Sequence, residues 1–322
     1  MPWVFKVLTF KENEPLADKN WFLTGGLARY FCEPETVEEF KEALVFARTK
    51  NLEIFVLGQG ANVLISDDGF DGLVIRPRVE NHTFPTITQE TEAMVLVTAS
   101  AGMTVHDLIE FCLKHQIVGL EEFSGIPGTV GGSVFINLHY FQFFLSHFLV
   151  SAHVVHCQTG ALEQVSLDWF NFGYDTSRLM DRDYYLVDAT FRLKKVSDVE
   201  TAYAQGRRVE IIRHRHARYP HARTCGSFFR NFHDNEVTVV SNGKKMIYVA
   251  YYLDKIGVKG QLAVGDAIVS YQHANMIVNS GNATSSDIVQ LVRLMQQKVK
   301  DAFGIMLQPE CLLIGFKDYP LL

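Results

Sequence analysis

Gly119-Leu120-Glu121-Glu122-Phe123-Ser124-Gly125-Ile126-Pro127-Gly128-Thr129-Val130-Gly131-Gly132-Ser133-Val134-Phe135-Ile136-Asn137 is the stretch around which the rest of the chain is organised. It sets Gly125, Gly128, Gly131 and Gly132 around one proline. Glycine lets a backbone take up positive φ or come close to a ligand's phosphates and rings. Taken alone, such a segment is either a cofactor cradle or a sharp structural turn. A second glycine-rich turn, Gly58-Gln59-Gly60-Ala61-Asn62, follows an apolar run at 54–57 and tips the reading towards a cradle.

Working outward, Thr36 with Glu39 three residues on has the pattern of a capping box, and Val37, Phe40, Leu44 and Ala47 then share one helical face. Strand-like runs follow at 54–57, 63–66 and 73–75, the last two separated by an Asp67-Asp68-Gly69 turn; this order makes a small α+β lobe. Residues 94–99 read as another strand, and Thr104 caps a helix with Asp107 at its third position and Val105, Leu108, Ile109 and Cys112 inward. Beyond the central stretch, runs at 149–156, 161–165 and 185–193 alternate as strands of a second, larger lobe. A long last helix is capped near Thr284, lined by Ile288, Leu291, Val292, Met295 and Val299, and stopped by Gly304.

Composition narrows the class. With 322 residues, 48% of them apolar and 20% charged, the chain has material for two or three folded domains. A formal charge of −6 argues against a dedicated nucleic-acid binder. The cysteines at 32, 112, 157, 225 and 311 form no Cys-x-x-Cys pair, as expected of a reducing cytoplasm rather than of disulfides or a zinc site. Met1 to Phe10 lacks the layout of a signal peptide. Residues 123–162 hold no Asp, Glu, Lys or Arg, but Asn137, His139, Gln142 and His147 interrupt them, so burial beside an apolar cofactor is a better account than a membrane span.

Between Gly206 and Arg230 the texture changes: arginines stand at 207, 208, 213, 215, 218, 223 and 230, with His214, His216 and His221 among them. The run fits a solvated helix face, a polynucleotide patch or a clamp for a phosphorylated small molecule, and the acidic remainder disfavours the polynucleotide. His214 and His216 lack the companions a metal shell needs, so no metal is expected. In Thr224-Cys225-Gly226-Ser227-Phe228-Phe229-Arg230-Asn231 the serine is no Gly-x-Ser-x-Gly elbow, and it reads as structural or catalytic; Cys225 reads as a nucleophile or as inert packing.

Together these motifs resemble the UDP-N-acetylenolpyruvoylglucosamine reductase family. The resemblance runs through nearly the whole chain. Gly25-Gly26-Leu27-Ala28-Arg29-Tyr30 is similar to the family's opening turn. The stretch Leu57-Gly58-Gln59-Gly60-Ala61-Asn62-Val63-Leu64-Ile65-Ser66-Asp67-Asp68-Gly69-Phe70 and the string Gly125-Ile126-Pro127-Gly128-Thr129-Val130-Gly131-Gly132 are similar to its two flavin loops. Gly226-Ser227-Phe228-Phe229, His273-Ala274-Asn275, and Pro309-Glu310 followed by Ile314-Gly315 resemble its substrate domain, and the short interval from Tyr174 to Ser227 its more compact subgroup.

The resemblance implies an α+β protein: a two-lobed FAD-binding fold of the vanillyl-alcohol-oxidase type, over 1–78 and 79–217, with a C-terminal α+β substrate-binding domain over 218–322 whose final strand returns to the first lobe. It implies FAD as cofactor, NADPH as reducing co-substrate, a UDP-sugar as substrate, and a cytoplasmic monomer. FAD falls to Gly58, Gln59, Gly60, Ala61, Asn62, Val63, Gly125, Ile126, Pro127, Gly128, Thr129, Gly131, Gly132 and Asn137. Ser227 is the expected proton donor, Glu310 the expected stabiliser of an enolate, and Tyr174, Arg218, Asn231 and His273 the contacts to the UDP portion. Two departures stand out. Where the family carries glycine, tyrosine and a catalytic arginine, this chain reads Gly173-Tyr174-Asp175, and Arg178 is the expected substitute cation. Where small residues follow the asparagine, this chain has Leu138-His139-Tyr140-Phe141. These departures keep two rival readings open: a catalytically silent relative that binds FAD or a UDP-sugar, and a same-fold FAD oxidoreductase with another substrate.

Overall fold

The structure, a computed structural model, describes residues 8–78 and 85–322. Residues 1–7 of the segment read for a signal layout, and 79–84, where the second expected lobe opens, lie outside the described residues. The chain divides into two compact units: one takes the described parts of 1–12, 30–59 and 72–214, the other 13–29, 60–71 and 215–322.

In the first unit, α1 (Val37–Thr49) starts where Thr36 accepts the Glu39 amide. The box is only half closed, because the Glu39 carboxylate takes the amide of Glu35, one residue further out. Phe40, Ala43, Leu44 and Ala47 bury one face of α1 among Leu73 and Ile75, and strand Glu53–Val56 pairs in parallel with 72–75. The large element of this unit is an antiparallel sheet in the order Leu162–Ser166, Leu149–His156, Tyr184–Lys195, Met94–Ser100 and Thr86–Gln89, with Ile117–Val118 also on Tyr184–Lys195. In Met94–Ser100 the residues Val95, Val97 and Ala99 are buried and their neighbours are not, the period of two of a half-covered strand. Its buried face is closed by α2 (Val105–Lys114), capped by Thr104, and by the short α3 (Val130–Phe135). Each Leu or Phe sealed there contributes about 2 kcal/mol.

The arginine run lies on α4 (Asp198–Arg218), which buries little besides Thr201 and Ala204. Three of its arginines pair with acids: Arg207 with Glu122, Arg208 with Glu110 at 2.7 Å and Arg213 with Glu210 at 2.5 Å.

The second unit holds α5 (Val249–Lys255), α6 (Ser285–Phe303) and a three-stranded sheet of Ala263–Val264, Ala267–Val269 and Ile277–Asn279. Ile288, Leu291, Val292, Met295 and Val299 line the buried face of α6 against Phe228, Tyr252 and Leu253. Here the capping box is complete: Thr284 Oγ1 accepts the Asp287 amide at 3.1 Å, and Asp287 accepts the Thr284 amide at 2.9 Å. Asp67 adds a second carboxylate to this helix end, accepting from the Ser285 amide at 3.0 Å and the Ser285 hydroxyl at 2.8 Å. Gly304 ends α6 with φ +71. Strand Leu312–Ile314 lies parallel to Val63–Ile65 within this unit. Among the described residues no helix is long and apolar enough to cross a membrane.

Candidate functional site

The central glycine turn is pinned at almost every residue. Thr129 caps α3 by accepting the Gly132 amide at 3.2 Å, the Val130 amide donates to Met103 O, and the Gly131 amide donates to Ala101 O, both at 2.8 Å. The other glycine turn reaches it directly, because the Gly128 amide donates to Gln59 Oε1 at 2.8 Å. Gly128 has φ +146, and a methyl on Gly58 would stand 2.6 Å from Thr129 Oγ1. At the head of the turn, before exposed Gly125 and half-buried Ile126 and Pro127, Ser124 is 2% exposed and its hydroxyl has no hydrogen-bond partner. A buried hydroxyl without a hydrogen-bond partner, beside a turn in which Gly128 takes a left-handed φ, fits a closely held ligand.

Asn137, buried at φ +51, donates from Nδ2 to Gly173 O at 3.0 Å and accepts the Ser146 amide on Oδ1. Next to Gly173, Tyr174 is exposed and its ring meets His139 at 4.7 Å. The Arg178 guanidinium lies 4.8 Å from the centre of the Trp169 ring system and 6.0 Å from that of Tyr184.

The second unit brings together another set. Gly60 O accepts the Trp21 amide, and after half-buried Ala61, Asn62 O accepts the Leu312 amide at 3.1 Å while Asn62 Nδ2 reaches Glu310 O at 3.4 Å. Val63 pairs with Leu312. Ser227 forms an antiparallel bridge with Met276, and the Glu310 amide donates to Phe228 O at 2.8 Å. Ser227 and Glu310 thus sit on adjoining, half-buried segments. Between them Asn275 acts as a clamp, its side chain accepting the Phe229 amide at 3.1 Å and donating to Phe229 O at 2.7 Å. Sequence reasoning quoted Asn275 but gave it no task, because nothing local in the sequence joins 275 to 229.

Asn231 Oδ1 accepts the Val249 amide, and Arg230 grips Glu236 through two bonds of 2.8 and 2.7 Å, holding that carboxyl down to about 2. Arg218 is exposed over the Tyr219 ring at 5.6 Å, and Tyr219 meets His273 edge-on at 5.3 Å. Burial pushes the His273 imidazole down to about 4, and its Nδ1 is buried without a hydrogen-bond partner. Cys225 is 4% exposed and Cys311 3%; burial and the Cys225 thiol push the Cys311 thiol well up, so packing rather than nucleophilic attack is their physical role. Among the described residues no group of His, Cys, Asp and Glu is arranged to hold a metal ion.

Two protein families match the chain: "FAD binding domain" over residues 28–166, and "UDP-N-acetylenolpyruvoylglucosamine reductase, C-terminal domain" over 218–314. A UDP-N-acetylenolpyruvoylglucosamine reductase of Synechococcus sp. (strain JA-3-3Ab) is 33% identical over 316 residues, covering 96% of this chain and 92% of its own. That of Listeria monocytogenes serovar 1/2a is 30% identical over 312 residues, 97% of either chain.

The chain belongs to the UDP-N-acetylenolpyruvoylglucosamine reductase family.

The crystal structure of a reductase of this name from Thermus caldophilus is similar over 95% of this chain and 98% of its own, with 27% identity and a TM-score of 0.73. An α+β FAD-binding fold, followed by the reductase family's C-terminal domain, is therefore the fold of this chain. Both glycine turns fall inside the FAD-binding match, and Arg218, Ser227, Asn231, His273 and Glu310 all fall inside the C-terminal match, whereas Tyr174, Asp175 and Arg178 fall outside both. The turns suit FAD on their own geometry: Gly58 has no space for a methyl, Gly128 takes a left-handed φ, and Ser124 Oγ is left with its bond to make.

Proposed function

We propose that this chain reduces UDP-N-acetylglucosamine enolpyruvate to UDP-N-acetylmuramate, with FAD as cofactor and NADPH as reductant, in the synthesis of peptidoglycan precursors. The observation that carries the reading is the junction of the Ser227 and Glu310 segments, in a chain whose glycine turns fit FAD. When bound, FAD would supply the hydride chemistry that the vinyl ether needs, with NADPH as the source of its electrons. Gly58 to Val63, Gly125 to Gly132 and Asn137 would hold it.

Hydride addition to an enolpyruvyl ether leaves a carbanion beside a carboxylate. Ser227 donates its hydroxyl proton to that carbon; an alcohol is a weak acid, but the carbanion is basic enough to take its proton. The Glu310 carboxyl stabilises the enolate, with Arg178 the cation proposed to offset its charge. Asn275 keeps Ser227 in place by fixing Phe229 on both its backbone groups. Arg218, Asn231, Tyr174 and His273 are proposed for the UDP portion. We place the enzyme in the cytoplasm as a monomer, without a nucleic-acid partner.

Replacing Ser227 by Ala tests the assignment: product formation should stop while NADPH still bleaches the flavin, and loss of both would remove Ser227 from the proton-donor role. An Arg178→Ala variant with full activity would eliminate the proposed cation. One observation favours a second reading, a relative that binds FAD without turnover: an acidic residue, Asp175, occupies the place where a cation is expected. Bound flavin that NADPH reduces and the enolpyruvyl substrate never reoxidises would select it.

A further inference from the structure

The half-buried side chain of Gln59 joins the first glycine turn to the second. Its Oε1 accepts the Gly128 amide at 2.8 Å; a backbone amide can only donate, so the atom that faces it is the oxygen of Gln59 and not the NH2. The carbonyl of Gly128 in turn accepts the Val105 amide at 3.0 Å, the first amide of α2. Gly128 is thus held from both sides, at a φ of +146 that other residues rarely adopt. Gln59 has its own anchor: it follows strand Glu53–Val56 by three residues, and beyond the paired strands Leu57 donates its amide to Ile75 O at 2.8 Å.

Most other amides of the second turn are bonded within the protein. Ile126 donates to Phe123 O at 3.2 Å, Val130 to Met103 O and Gly131 to Ala101 O at 2.8 Å, and Gly132 to Thr129 Oγ1 at 3.2 Å, while Pro127 has no N–H to give. The packing is equally close: a methyl on Gly131 would stand 3.0 Å from Ala101 O.

A loop that grips phosphate with a row of free amides would leave such groups open. Here the amides of 126, 128 and 130–132 are closed, so what this stretch offers FAD is its shape. That shape depends on what fixes the Gly128 peptide. A turn set before its ligand arrives also lowers the ordering cost of binding.

We infer that Gln59 serves FAD binding as a positioning residue: its side-chain oxygen latches the Gly128 peptide, and the turn so placed, not the NH2 of Gln59, meets the cofactor. The inference rests on the FAD cradle described above.

Two substitutions separate a latch from a direct contact, because both remove the NH2 and only one removes the oxygen. Gln59→Met fills a similar space with no acceptor of that kind; Gln59→Glu keeps an oxygen for Gly128 and adds a negative charge that a direct contact with the anionic cofactor would feel. The test reads FAD affinity of the loaded protein by equilibrium dialysis, and amide hydrogen exchange at Gly128 on protein labelled with 15N-glycine. Gln59→Met should weaken FAD about tenfold and speed exchange at Gly128, whereas Gln59→Glu should keep both within about threefold of wild type. Wild-type affinity or unchanged Gly128 exchange in Gln59→Met would overturn the inference. So would a loss in Gln59→Glu as large as in Gln59→Met, which would assign the NH2 of Gln59 to the cofactor. If Gln59→Met fails to fold, the affinity of Gln59→Glu decides alone. A wild-type protein that takes up no FAD would instead bring down the cradle itself.

Discussion

Ser227 and His273 are the residues at which single substitutions speak most clearly. For Ser227→Ala the expected fall in turnover is about a thousandfold, the range for loss of a general acid, with NADPH-driven bleaching of the flavin unchanged. His273 makes a prediction about pH. Its folded value of about 4 lies below the ordinary 6.5 because burial disfavours the charged ring; Arg218 and Lys259 push the same way and Asp254 opposes them. Between those two values the unfolded chain binds the proton and the folded one does not, so stability is lost as pH falls from 6.5 towards 4, by up to about 3 kcal/mol. His273→Gln should flatten the fall in Tm across that window. Glu236 acts in the next window down, from its ordinary 4.5 to about 2, and its contribution should survive the His273 change. At this scale the sequence was readable wherever a residue type has few physical uses, as with Gly304, which ends α6 in the left-handed region. It marked His139 and Asp175 as departures but was silent on their pairing, because a contact between residues so far apart in the chain leaves no local signature.

Helix ends show how local physics becomes legible. Thr36 and Thr104 were identifiable as caps from a hydroxyl three residues ahead of an acid, the last helix was read as capped near Thr284, and all three side chains accept an amide of their helix's first turn. Thr284→Ala should cost about 1 kcal/mol and lower Tm without altering flavin uptake, since the box it opens belongs to α6. The glycine turns behave differently, because their demands come from neighbours. A methyl on Gly58 would press on Thr129 Oγ1, the same atom that caps α3, so Gly58→Ala should weaken FAD binding about tenfold by equilibrium dialysis, roughly the 1–2 kcal/mol of a lost cap. The motif announces that glycine is required there; that the obstacle is Thr129, and that Gln59 bonds to Gly128, depends on chain segments that no periodicity connects. Asn275 is the same case, a clamp visible only once 229 and 275 are neighbours.

For the molecule as a whole, the order of motifs along the chain carried more than any one of them. An FAD-binding segment followed by a C-terminal reductase segment over 28–166 and 218–314 fixes both fold and family, while composition alone reached no further than a folded protein of mild acidity. The central claim is that bound flavin passes electrons from NADPH to an enolpyruvyl ether. Its most direct test takes the purified, FAD-loaded protein under anaerobic conditions, adds one equivalent of NADPH, and then adds UDP-N-acetylglucosamine enolpyruvate while flavin absorbance is followed. The account predicts that the colour is lost on the first addition and returns on the second, with UDP-N-acetylmuramate formed in step; a protein that stays colourless in the presence of added FAD, or whose reduced flavin is untouched by the substrate, would contradict it.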